Sequence, residues 1–221
     1  MASANNLLNN LTGAALDFGW SLARPVVEPI FKYLIADQAS NLSKRPRVRL
    51  AYSGVERAEY AANVSAFVSV ENLYRSINFG ALMGVVTREM TEGVNYGTAM
   101  GAVERMKRGV NVSPVLAIVS KLESGYNVGG FSLCHQEVGE DAYLGGVLAV
   151  AGKVRGRMRG LVTYCDENHG EVVGLVNITG RNGLSKERDR EGRKKKGKSY
   201  GFVNIDLSRP LLEGGLEFGW S

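Results

Sequence analysis

Cysteine, histidine and proline are all scarce in this chain, and no apolar run is long. Two cysteines among 221 residues cannot build a disulfide framework, so Cys134 and Cys165 read as free thiols of a reducing compartment. No stretch reaches the roughly 18 apolar residues that a membrane-crossing helix needs. The opening MASANNLLNN lacks a basic stretch followed by an unbroken apolar one, which argues against a secretory signal. Five prolines stand against 28 glycines. Glycine at that density predicts many turns and bulges, and with them a β-rich fold.

Positive charge is plentiful but confined. Arg181 to Lys198 (RNGLSKERDREGRKKKGK) holds nine Lys or Arg and three Asp or Glu, a balance of +6, whereas the whole chain stands at +5. The remainder, 18 basic against 19 acidic residues, is at −1. A cluster this dense either grips a polyanion or lies in solvent, since it cannot enter a core. Its first half mixes signs, but Arg193 to Lys198 carries five positive charges in six residues and no acid. Such a segment binds nucleic acid through its phosphates with little sequence preference. Arg193, Lys194, Lys195, Lys196 and Lys198 are the candidate phosphate contacts. Tyr200, with Phe202 beside it, is a candidate for stacking on unpaired bases. An acidic membrane surface or a nuclear-import role is the other use of such a cluster.

Along the chain, residues 1–45 form an N-terminal helical segment. Leu7, Leu8, Leu11, Ala15, Phe18 and Leu22 recur at helical spacing, and Pro25 and Pro29 interrupt before Val26, Ile30, Phe31 and Leu34. Few basic residues share that face, which points to packing on a partner or on the body rather than on a membrane. Residues 46–221 form a glycine-rich β domain with the basic loop at 181–198. Arg47–Tyr52 and Val64–Val70 alternate as strands do, while Glu71 to Glu92 and Asn95 to Arg108 have a more helical look. Beyond them, Val115–Leu122, Gly130–His135, Tyr143–Val154, Leu161–Cys165, Glu171–Ile178 and Tyr200–Leu207 are short runs punctuated by glycine. Short strands with turn signals between them predict an antiparallel sandwich or barrel, so the fold class expected is a β-rich α+β fold. No solenoid period stands out. One echo does: LDFGWS at Leu16–Ser21 and LEFGWS at Leu216–Ser221 carry the only two tryptophans.

Three catalytic or metal readings fail on their context. Gly192 to Ser199 fits the phosphate-loop formula, but it lacks the apolar strand before it and the helix after it. Cys134, His135, Cys165 and His169 are every cysteine and histidine in the chain, yet the adjacent Cys134 and His135 point to opposite faces of a strand. No nucleophile–base constellation appears. The chain therefore reads as a non-enzyme with no cofactor, metal or small-molecule substrate.

Tyr143–Val154 (YLGGVLAVAGKV), a basic turn and Gly160–Asp166 (GLVTYCD), followed by Lys195–Leu207 (KKGKSYGFVNIDL), resemble the central segment of the thirty-kilodalton superfamily of plant-virus movement proteins. The resemblance spans residues 116–208. It implies a jelly-roll-like β domain, binding of single-stranded RNA, cell-to-cell movement, and an address in the host cytoplasm, at the cell periphery and plasmodesmata. Asp166 takes the place of the family's strand-end aspartate, a structural role. Homo-oligomers and peripheral membrane contact are further partners to test. The alternative function is a jelly-roll capsid or nucleocapsid subunit, its basic segment facing packaged genome.

Overall fold

A computed structural model describes residues 47–48, 52–182, 184–188, 194–208 and 216–220, all within one compact unit, Asn41–Ser221. The helical segment expected over 1–45 lies outside these residues, as do Leu16–Ser21 and the linker at Ser43 to Pro46. Every described element is a strand. In chain order they are β1 (Arg47–Val48), β2 (Tyr52–Glu59), β3 (Ala62–Gly97), β4 (Met100–Met106), β5 (Val110–Val154), β6 (Arg157–Asn168), β7 (Glu171–Val173), β8 (Val176–Asn182), β9 (Leu184–Arg188), β10 (Lys194–Lys196), β11 (Lys198–Asp206) and β12 (Leu216–Trp220).

Their pairing overturns the expected antiparallel jelly roll. The strands from β1 to β8 pair only in parallel, and β11 joins β7 and β8 in the same sense, each with the chain one coil earlier or later. Partners lie about one coil apart in sequence: Val55 faces Val70, Met100 faces Leu116, and Leu148 faces Val162. The backbone is therefore a parallel β-solenoid, and β3 and β5 run as continuous strands round its corners. A coil cannot bury its inner face alone, so stability comes from stacking on neighbours.

The inside is built in columns. Ala58 and Leu73 face each other, Met90 faces Met106, which faces Leu122, and Val154 faces Asn168. All of them but Asn168 belong to one buried apolar cluster, which also includes Val86, Val103, Val119 and Val138. Burying each such side chain stabilises by about 2 kcal/mol. The same columns explain why Glu71 to Glu92 and Asn95 to Arg108 are strand rather than helix. A register shift between Val86 and Glu89 lets Val86 and Met90, and likewise Val103 and Met106, all point inward. Inward residues three or four apart at a bulge imitate helical periodicity.

A second internal column is polar. The Asn78 amide donates to Asn95 Oδ1 at 2.7 Å, Asn95 to Asn111 at 2.8 Å, and Asn111 to Asn127 at 2.6 Å. Each amide also reaches backbone carbonyls, as Asn111 does to those of Gly101 and Ile118, both buried, at 3.0 and 3.2 Å. Further along, Thr163 Oγ1 donates to Asn177 at 2.6 Å and Asn177 to Asn204 at 2.7 Å. Buried amides are tolerable because each is met by the next.

Glycine marks the corners. Gly125 has φ of +98°, where a Cβ would be strained and would strike the Gly109 carbonyl. At the other corner Gly160 faces Gly146. A Cβ on Gly160 would lie 2.9 Å from the Gly146 carbonyl oxygen, and one on Gly174 2.9 Å from that of Gly160.

Candidate nucleic-acid interface

The solenoid has a coil of 14 residues where Val162 faces Val176, but the next step runs from Val176 to Val203, a separation of 27. The extra 13 residues, 184–196, fall within the cationic segment. β9 and β10 leave the coil as an antiparallel pair that forms a separate two-stranded sheet. The expected basic loop is thus largely a hairpin, inserted after Asn182 and rejoining at Gly197. Arg193 lies outside the described residues. Lys194, Lys195 and Lys196 form β10, with Lys194 registered opposite Arg188.

Lys198 returns to the body. Its side chain is exposed and its backbone amide donates to the Gly170 carbonyl at 2.8 Å. Tyr200 is half-buried, registered between Val173 and Trp220. Phe202, by contrast, is 72% exposed. It is the extra residue at a register shift between β11 and β12, where Gly201 faces Gly219 and Val203 faces Phe218. A bulged residue is turned out of the ladder, so Phe202 is the more exposed of the two rings. Residue type alone does not separate the two, because the bulge is set by the partner strand.

Asp166 sits inside β6, not at its end, and accepts a hydrogen bond from Tyr164 Oη at 2.6 Å. Both cysteines are fully buried, and burial pushes the thiols of Cys134 and Cys165 up to about 12. They are neutral near pH 7 and poor nucleophiles. Cys134 points inward and His135 is exposed, as alternation along a strand requires. His169 lies 3.3 Å from Glu167, which also pairs with Lys153 at 3.3 Å. The His169 ring, and then Lys153, hold the Glu167 carboxyl below its ordinary range. Among the described residues no group of three or more His, Cys, Asp or Glu is placed to hold a metal ion. The phosphate-loop formula at Gly192 to Ser199 leads into strand β11 rather than a helix.

Elsewhere the surface charges pair between coils. Arg88 meets Glu71 at 2.8 Å, Lys107 meets Glu89 at 2.8 Å, Arg105 meets Glu123 at 2.6 Å and Arg155 meets Glu137 at 2.7 Å. The Arg105 guanidinium and the Lys107 ammonium hold the Glu123 and Glu89 carboxyls below the usual range. Exposed pairs of this kind add little stability, but they leave the coiled body nearly neutral beside the hairpin.

No known protein family, curated protein or solved structure matches the chain.

Proposed function

We infer that the protein is a non-enzymatic binder of single-stranded RNA, sequence-nonspecific, in which a rigid solenoid displays a cationic hairpin. One observation carries the reading: the most basic stretch is an insertion of 13 residues outside a 14-residue coil. The coil register resumes on the far side of it, which leaves its composition free to serve something other than the fold. Phe202, exposed on the strand that leaves the hairpin, offers a ring to an unpaired base. Transport between plant cells rested on the resemblance over residues 116–208. This chain does not form the jelly roll that the resemblance implied, so the proposal stops at RNA binding.

The test is binding of a labelled single-stranded oligonucleotide across a salt series. Replacing Arg193, Lys194, Lys195, Lys196 and Lys198 together by Ala should reduce the log–log salt slope by up to about 3.5, near 0.7 per lost phosphate contact. An unchanged slope and affinity at low salt would sink the assignment.

A further inference from the structure

One corner of the solenoid is apolar from coil to coil and open to solvent. Leu82 precedes Met83, which faces Met100; Ala99 precedes Met100, which faces Leu116; Val115 precedes Leu116. Phe131 and Val147 follow at 16-residue intervals. Val147 lies between Gly146 and Leu148, whose partners Gly160 and Val162 flank Leu161. Leu175 donates its amide to the Leu161 carbonyl, and its own carbonyl accepts from Val203, the neighbour of Phe202. Leu82, Val115, Phe131, Val147, Leu161, Leu175 and Phe202 are between 47% and 72% exposed, and Ala99 is exposed with them. Leu148, Val162, Val176 and Val203 widen the last four coils. In the eight four-residue corner segments that hold these side chains, from Gly80–Met83 to Tyr200–Val203, the one charged residue is Arg159.

Eight coils at about 4.8 Å give a ridge of about 34 Å. Scattered apolar residues need no explanation; here they fall into one file. The ridge is two residues, or about 7 Å, wide. Its footprint of roughly 240 Å² is far below the about 800 Å² per partner of a stable protein interface. A bilayer boundary demands no such area or shape match. It accepts a line of Leu, Val and Phe whose backbone groups are already paired, as the coil-to-coil ladder pairs these. Charge sets the kind of bilayer. Arg157, Arg159 and Lys198, all exposed, stand on the strands that lead into the ridge, with one acid among them, Glu171, paired to Arg159 at 3.7 Å, and the cationic hairpin is inserted between its last two coils.

We propose that this corner is a lipid-docking ridge for an anionic bilayer surface, the apolar file entering the headgroup boundary and the flanking cations meeting acidic headgroups. The ridge shares Phe202 and Lys198 with the RNA-binding reading, so the variant that tests it leaves both residues unchanged.

The experiment is co-sedimentation of the full chain with vesicles of phosphatidylcholine containing phosphatidylserine, and with pure phosphatidylcholine. Binding to the acidic vesicles, weaker on the neutral ones, is expected. The triple variant Val147→Ser, Leu161→Ser, Leu175→Ser should lower partitioning at least about tenfold. Single-stranded RNA affinity and the unfolding midpoint report whether the variant is folded; should it unfold, Leu161→Ser alone is used, with about a threefold loss expected. Vesicle binding undiminished in a folded variant would overturn the proposal, as would no vesicle binding by the parent chain. Sedimentation showing a parent dimer that the variant converts to monomer, without vesicle binding, would reassign the ridge to a second copy.

Discussion

At the scale of single residues, the asparagine column shows how buried polarity is made tolerable. Asn111 accepts from Asn95, donates to Asn127, and reaches two backbone carbonyls. Asn111→Ala removes one link and strands amide groups on both neighbours as well as the carbonyls. A loss of about 3 kcal/mol is expected by denaturant unfolding, since unmet buried groups cost more than a bond contributes. Asn111→Leu should do no better, because it fills the space and leaves the same groups unmet. Asn78, Asn95, Asn111 and Asn127 recur at coil spacing in the sequence. Their inward direction could not be read there, because a polar residue in a strand defaults to the solvent face.

At the scale of elements, the hairpin and the coil that carries it separate cleanly. Deleting residues 184–196 returns the separation of Val176 and Val203 from 27 to 14, the value of the coil before. The shortened chain should keep its β circular dichroism and its unfolding midpoint while losing most single-stranded RNA affinity. Collapse of the fold would show that the insertion is part of the coil after all. The insertion also hid the repeat. Gly160-Leu161-Val162-Thr163-Tyr164-Cys165, Gly174-Leu175-Val176-Asn177-Ile178-Thr179 and Gly201-Phe202-Val203-Asn204-Ile205-Asp206 are versions of one unit. Their steps of 14 and then 27, with 16 and 17 earlier, defeat a search for one fixed period. Strand content over residues 115–207 was legible from alternation and glycine turns, but partners were not, since both parallel coils and antiparallel hairpins produce that pattern. The cationic segment was legible in full, because charge density needs no tertiary context.

At the scale of the whole molecule, a solenoid must manage the open edges of its end coils. β12 lies antiparallel on β11, with Tyr200 facing Trp220 and Ile205 facing Leu216, against the parallel sense of the coils. A reversed strand cannot serve as the next coil, so it blocks stacking of another parallel coil onto β11. Truncation after Ser208 should therefore promote self-association, read as concentration-dependent growth in light scattering at a temperature where the full chain stays monodisperse. A truncated chain that remains equally dispersed would remove β12 from this role. The LEFGW echo acquires a place at its C-terminal copy; Leu16–Ser21 lies outside the described residues.

The amino-acid sequence by itself determined the β content of the second half, the near-neutral body and the single cationic insert, because these depend on residue type and local alternation. Only the tertiary structure decided that the strands stack in parallel, that Phe202 is turned out while Tyr200 is half covered, and that eight dispersed apolar residues fall into one file. Each of those facts depends on register, which joins residues 14 to 27 positions apart and is settled by the packing of whole coils rather than by neighbours along the chain.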